Sequence, residues 1–330
     1  MSTVSAIIPT WNRADLLESI LKNLRSQRRS PEQIIVVDNG SSDTTQLVAR
    51  EFGVDLIVFP ENRGFATAIN EGIAHATGDW VLIVNNDVVL EPDWLERIVA
   101  SAEREDAPFA VGKLVRPEGR NQIDGSWDLV SRAAYAWRCG YGKHDSAIWS
   151  TPRRIYFAPM TAALFRRSLF EQIGGLETRF ESYYEDIDFG VRCALAGLQG
   201  IYEPAAIAIH MSKTTLGRSA ARVYYLSARN QVFILAKYYS AKTLVRFAWP
   251  VFAGQVLALF AAARQRNFWP ALRGKFEGLR RWKEFRAQAV NEPGRVQETF
   301  HASEREIFRL QRQAGFDIYW RLYFSVVRPG

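Results

Sequence analysis

The chain has 330 residues, 48 % of them hydrophobic and 13 % aromatic, enough to bury one large core or two smaller ones. Its two cysteines, Cys139 and Cys193, exclude a disulfide framework and a cysteine metal site, and they fit a reducing compartment. The net charge of +7 hides an asymmetry: residues 211–330 carry 21 Lys+Arg against 7 Asp+Glu, and residues 1–210 carry 21 against 28. No basic leader followed by an apolar run opens the sequence, so a cleaved secretion signal is not expected.

Residues 4–8 read as a strand, and Leu16, Leu17, Ile20, Leu21 and Leu24 form a helical stripe. A second apolar strand at 33–37 precedes a helix through Leu47 and Val48. Residues 56–59 make a third strand, Phe65, Ala68, Ile69 and Ile73 mark a helix, and 80–84 is a fourth strand. Fully apolar strands alternating with helices predict an α/β fold whose mostly parallel sheet is covered on both faces. Ligands bind such sheets beyond the carboxyl ends of the strands.

Each of those ends carries polar residues: Pro9-Thr10-Trp11-Asn12-Arg13, Asp38-Asn39, Glu61-Asn62-Arg63-Gly64 and Asn85-Asn86-Asp87. Any one of them alone is loop or cap chemistry; four in a row point to a shared polar crevice. Neither a Gly-x-Gly-x-x-Gly fingerprint nor a Walker sequence is present. Further on, residues 180–192 hold Glu185, Asp186 and Asp188 ahead of Ile187, Val191 and Leu195 at four-residue spacing. That pattern sets carboxylates on the first turn of a helix, which is either good capping or a catalytic cluster.

The motif series at 9–13, 36–43, 62–72 and 85–87, followed by Gly174-Gly175-Leu176, Tyr184-Glu185-Asp186-Ile187-Asp188 with Arg192, and His210, closely resembles the family 2 glycosyltransferases. Within that family it is most similar to the rhamnosyltransferase-type branch, over about residues 3–215. The resemblance implies a GT-A fold, a nucleotide-diphospho-sugar donor, a divalent metal and inversion at the anomeric carbon. It also implies a domain at 1–216, with a donor half at about 1–115 and an acceptor half at about 116–216, followed by a helical, basic region at 217–330.

By that resemblance, Pro9, Thr10, Asn12, Arg13, Asp38, Asn39, Arg63, Gly64, Asn70 and Asn86 are expected to bind the nucleotide sugar. Asp38 would meet the N3–H of uracil or thymine. Arg63 would offer fork-like donors to the diphosphate, and Gly64 would admit a close backbone approach. For Asn70 the alternative is to hold the loop rather than touch the donor. Asn85 stands where the family has an acid, so Asp87 and His210 would hold Mg²⁺ or Mn²⁺ with much help from the diphosphate; for His210, which follows an apolar strand, the alternative is a satisfied core histidine. Asp186 is expected to be the catalytic base with Glu185 as its neighbour, Asp188 to cap or to pair with Arg192, and the crowded charges to raise at least one carboxyl pKa.

Residues 116–160 look irregular and aromatic, with Trp127 and Tyr184 as weak acceptor-binding candidates, and 156–165 reads as paired edge strands. In the last third, residues 247–263 are apolar except for Gln255, a run shorter than the roughly 20 residues that span a bilayer. It is a core helix, one that lies in or dips into the membrane face, or a true span. Phe268, Leu272, Phe276, Leu279 and Trp282 then make a stripe, with Lys275, Lys283 and Arg286 near it as long side chains able to reach headgroups. The same residues also fit an oligomer interface.

The sequence therefore predicts an inverting, metal-dependent hexosyltransferase in surface-polysaccharide or cell-wall synthesis. The donor is expected to be a dTDP- or UDP-sugar, with L-rhamnose from dTDP-rhamnose as the first choice, and the acceptor a glycan or polyprenyl-linked hydroxyl. The expected location is the cytoplasmic face of the cell membrane, bound peripherally through the C-terminal region; nucleic acid is not an expected partner. The alternative is a catalytically silent module that binds nucleotide sugar or nucleic acid, motivated by Asn85 and the basic tail.

Overall fold

The computed structural model describes residues 2–211, 220–286 and 292–329, with the side chain of residue 120 excepted. The boundary expected at 216 lies outside the described residues. The chain divides into two compact units, one of Met1–Trp127 with Arg138–Thr214 and one of Asp128–Trp137 with Thr215–Gly330.

The first unit opens with β1 (Val4–Thr10), α1 (Ala14–Arg25), β2 (Gln33–Asp38), α2 (Thr45–Glu51), β3 (Asp55–Val58), α3 (Phe65–His75) and β4 (Trp80–Val84). Strands β3, β2, β1 and β4 lie side by side and parallel. In register, Thr10 faces Asp38 and Asp38 faces Val58, so the polar strand ends share one edge. Val4, Ala6, Ile8, Val36, Leu82 and Val84 join the buried stripe of α1 in one core, so apolar side chains rather than strand propensity fix the layer.

Next come β5 (Val88–Leu90), α4 (Trp94–Arg104), β6 (Phe109–Arg116) and β7 (Gly119–Gly125), then β8 (Asp128–Val130), β9 (Ala136–Arg138), β10 (Arg153–Ile155) and β11 (Ala162–Arg166). Helices α5 (Arg167–Ile173) and α6 (Glu185–Leu195) and strand β12 (Gly200–His210) complete this part. Two expectations are corrected. The segment 116–160 is not irregular, since it holds four strands; and β11 is no edge strand but runs antiparallel between β4 and β6. Strand β10 lies at the edge, against β12.

The second unit pairs β8 with β9 and adds α7 (Ala220–Tyr238), α8 (Ala241–Arg246), α9 (Ala248–Arg264), α10 (Phe268–Arg280), α11 (Trp282–Arg286), α12 (Pro293–Ala314) and α13 (Ile318–Val326). Gly274 lets α10 lie directly on α7, because a Cβ there would overlap the carbonyl of Tyr225. Glu304 of α12 is fully buried and accepts from Arg132 Nε (2.8 Å), the Arg132 backbone N–H (2.9 Å) and the Tyr323 hydroxyl (2.8 Å). Lys275 is buried and donates to Gln231 and Gln255, which corrects the expectation that it reaches outward. Burial pushes its pKa down to about 7. Among the described residues no helix is long and apolar enough to cross a membrane.

Candidate active site

The polar edge of the parallel strands is built largely by side chains that hold one another. Thr10 Oγ1 accepts from Asn86 Nδ2 at 3.0 Å, joining the end of β1 to the 85–87 turn. Asn12 (φ 51°) accepts the Ser42 N–H at 2.7 Å, and Arg13 is paired with Asp15 at 2.9 Å. Pro9 lies half-buried in β1, where its missing N–H costs little in a strand end.

Asn39 and Asn70 were both expected to touch the donor, and the structure gives them other work. Asn39 accepts the Arg63 N–H (2.8 Å) and donates to the Gly64 carbonyl (3.2 Å), so it holds the 62–64 loop. Asn70 grips Leu176 from both sides, at 2.8 and 2.7 Å, and so takes the loop-holding alternative. Asp38 is fully buried, and its carboxylate accepts the Ser41 N–H (3.0 Å) and Gln46 Nε2 (2.9 Å). Arg63 stays exposed, its guanidinium 5.1 Å from the centre of the Phe59 ring.

The carboxylate turn stands directly against this loop. Gly64 has φ 85°, and a Cβ on it would sit 2.9 Å from the Glu181 carbonyl, so the close approach expected of this glycine is to the protein's own backbone. The Ala66 N–H donates to that carbonyl (3.0 Å), and the Phe65 N–H to Ser182 Oγ (3.3 Å). Between them and α6 the chain is strained: Glu181, Tyr183 and Tyr184 all have positive φ, at 63°, 67° and 72°. That sharp reversal delivers Glu185 and Asp186 to the start of α6, where the helix dipole favours negative charge.

The two acids differ. Glu185 is buried, with Oε2 lacking a hydrogen bond, whereas Asp186 is half-buried and accepts the Ile187 N–H at 2.8 Å. Burial pushes both carboxyls above their ordinary range, Glu185 furthest, with the Asp186 charge adding to its rise. For Asp186 the Arg138 guanidinium pulls the other way. The expected rise is therefore present, but burial rather than like-charge repulsion comes first. Asp188 pairs with Arg192 at 3.0 Å, as expected.

Arg138 had no motif to announce it. Its guanidinium lies 3.4 Å from Thr161 Oγ1, and the Thr161 carbonyl accepts the Asn85 N–H at 2.9 Å. Its stem packs against Gly125. One arginine thus touches the neighbourhoods of the 85–87 turn and of β7, and its charge acts on the acids of α6.

At the 85–87 turn, the antiparallel register of β5 and β12 sets His210 opposite Val88, beside Asp87. His210 Nε2 stands 3.5 Å from Asp87 Oδ1, and its Nδ1 is 2.7 Å from Oδ2 of Asp124, a buried β7 residue that the sequence did not single out. Burial works to lower the His210 pKa, but the two carboxylates outweigh it and push the imidazole up to about 9. The other Asp124 oxygen is buried without a hydrogen bond, 3.7 Å from Arg116 Nε. Among the described residues no group of three or more His, Cys, Asp or Glu is set to hold a metal. One carboxylate and one imidazole nitrogen do converge, and that donor set fits Mn²⁺ whose remaining ligands come from a diphosphate.

The acceptor candidates fare less well. Trp127 is buried against Trp149 and Tyr202 with Arg153 stacked 4.4 Å over its ring, so it is a packing residue and offers no face to a sugar. Tyr184 is also buried; its neighbour Tyr183, 38 % exposed, is the aromatic that remains open at this turn.

The family described as Glycosyl transferase family 2 matches residues 5–174. The chain is 29 % identical over 238 residues to the N-acetylglucosaminyl-diphospho-decaprenol L-rhamnosyltransferase of Mycobacterium tuberculosis, covering 64 % of this chain and 77 % of that protein. It is 31 % identical over 219 residues to the O-antigen biosynthesis protein RfbC of Myxococcus xanthus, covering 63 % of this chain and 17 % of that protein. Among solved structures, the Pyrobaculum calidifontis mannosyltransferase PcManGT in complex with GDP-Man and Mn²⁺ superposes with TM-score 0.54 at 20 % identity, covering 98 % of this chain and 86 % of that one. GalNAc-T7 with UDP, GalNAc and Mn²⁺ superposes with TM-score 0.62 at 12 % identity, over 96 % and 58 %. These last two likenesses show the fold, which is of the GT-A type.

Proposed function

Since the chain belongs to the family 2 glycosyl transferases, we propose that it moves a hexose, with inversion, from a nucleoside-diphosphate sugar to a hydroxyl of a glycan or polyprenyl-linked acceptor. The observation that carries this reading is the seam between the 62–64 loop and the 181–186 turn, closed by the Ala66–Glu181 and Phe65–Ser182 hydrogen bonds. It brings a candidate base and a candidate diphosphate-binding arginine together from opposite ends of the domain sequence.

Asp186 takes the proton of the acceptor hydroxyl as its oxygen bonds to the anomeric carbon and the bond to the diphosphate breaks. Asp186 is favoured over Glu185 because it is the more accessible; Arg138 favours the charged form of both acids and stands higher among the influences on Asp186. Glu185, buried and raised further, keeps the pair's proton. Arg63 supplies positive charge where the diphosphate departs. Asp87 and His210 Nε2 would hold a divalent ion, which would add charge neutralisation at the leaving group. Asp124 positions the His210 ring from behind, as outer carboxylates do for ligating imidazoles.

Rhamnose from a dTDP donor is the first choice because of the likeness to the mycobacterial rhamnosyltransferase. A decaprenol-linked substrate in that relative's name supports a lipid-linked acceptor here, and with it work at the inner membrane face in cell-wall or polysaccharide synthesis. The test is calorimetry and turnover with dTDP- and UDP-sugars, each with and without Mn²⁺. Metal-dependent binding followed by transfer supports the reading. Tight binding with no transfer to any lipid-linked or glycan acceptor would leave a silent binding module instead.

A further inference from the structure

Helix α9 has no polar residue on its outer face until Arg264 at its end. Trp249, Phe252, Val256 and Phe260 are 49–61 % exposed. At 100° per residue they fall within about 80° of arc, a single row along a helix of about 25 Å. Its one polar side chain before the end, Gln255, turns inward to the Ala133 carbonyl (2.6 Å) and Lys275. A surface helix normally shows polar residues outward, so this face is built to be covered.

Helix α13 extends the row. It runs antiparallel to α9, with Trp249 Nε1 donating to the Val326 carbonyl (2.8 Å) and Tyr319 hydroxyl to the Gly254 carbonyl (3.2 Å). Its own outward residues are Ile318, Leu322 and Val326, 40–58 % exposed. On α10, Trp269 (68 %) and Phe276 (63 %) are exposed as well. Among the described residues, eleven of the seventeen exposed large hydrophobics belong to this unit.

Around the apolar rows the charge is almost all of one sign. Residues 242–283 hold nine Lys and Arg against a single acid, Glu277. Lys242, Arg246, Arg264, Arg266 and Arg273 are exposed. That rim discriminates between occupants. A second copy of the chain would bring two like-charged rims together, whereas an anionic lipid surface complements the rim and accepts the aromatic rows. With α9 shorter than a bilayer span, the face lies on the membrane rather than crossing it.

We propose that the outer faces of α9 and α13, with the rim from Lys242 to Arg273, form the surface by which this protein lies in the headgroup layer of an anionic bilayer. This deepens the membrane location proposed above and rests on it. The test floats full-length protein with vesicles of phosphatidylcholine alone and of an equimolar phosphatidylcholine–phosphatidylglycerol mixture. Binding should require the anionic lipid and weaken with salt. Phe252→Glu/Phe260→Glu should lower it about tenfold or more, and Arg264→Glu/Arg273→Glu should lower it and blunt the salt effect. All four positions are exposed, so circular dichroism and transfer to a short water-soluble acceptor should be unchanged. Failure of the parent to float, or flotation of the Phe252→Glu/Phe260→Glu variant equal to the parent, overturns the proposal. So does a parent dimer in light scattering that the same variant splits. Loss of transfer in protein that still floats would count against the sugar-transfer reading, leaving the surface in place.

Discussion

Two buried acidic sites, one in each unit, are treated in opposite ways. In the first, Glu185 and Asp186 sit at a helix start without a hydrogen-bonded cation to neutralise them, and burial raises both carboxyls. In the second, Glu304 is as deeply buried but fully engaged by Arg132 and Tyr323. A satisfied buried ion is architecture; an unsatisfied one, held by a strained turn beside a ligand loop, is poised for chemistry. The contrast can be broken from either side.

The largest effect is expected at Asp186. Asp186→Asn should lower turnover by about 10²–10⁴-fold while donor binding persists, as read by transfer assay and calorimetry on one preparation. The same variant should be more stable than the parent at neutral pH. A carboxyl whose folded pKa is raised above 3.8 costs stability as pH rises through the interval between the two values, and the asparagine carries no such cost. The stability advantage should shrink towards pH 4, measurable as melting temperature against pH.

The satisfied pair predicts the reverse. Glu304→Ala should cost about 3–5 kcal/mol, because it strands the Arg132 guanidinium in the interior. Chemical denaturation would show it, and a loss under 1 kcal/mol would mean that the pair is no anchor.

A smaller effect is expected behind the imidazole. Asp124→Asn should weaken Mn²⁺-dependent binding of a nucleoside diphosphate by about 10–100-fold while metal-free binding holds. Smallest is Lys275. Its folded pKa of about 7 lies below the ordinary 10.5, so the parent should gain stability relative to Lys275→Met as pH rises from 7 towards 10. A pH-independent difference between the two would remove the buried charge.

Most of the donor half was legible because its strands are short, apolar and punctuated by polar ends. The carboxylate turn was legible for a similar reason: Glu185 and Asp186 precede a clear helical stripe. Side-chain direction was not legible. Asn39 and Asn70 lie in the expected motifs, but what they grip is decided by loops distant in sequence, at Gly64 and Leu176. Trp127 was a weak candidate for a sugar platform with packing as the alternative, and the fold takes the packing alternative, with Trp149, Tyr202 and Arg153 around it.

Strand β7 reads Gly-Arg-Asn-Gln-Ile-Asp-Gly, with little hydrophobic alternation, so neither the strand nor Asp124 could be seen. The central position of β11 was hidden because a four-residue apolar run looks alike at an edge and in the middle. Arg138 follows a hairpin that belongs to the other unit, and no local pattern marks its return to this one.

The central claim is that Asp186 is a base whose proton affinity is set by burial against the pull of Arg138. The pH dependence of kcat/KM for transfer to a soluble acceptor, measured for the parent and for Arg138→Met, tests it most directly. The account predicts an acid limb above the ordinary aspartate range in the parent, moving to higher pH when the arginine charge is removed. An acid limb near pH 4 that stays in place in the variant would contradict it.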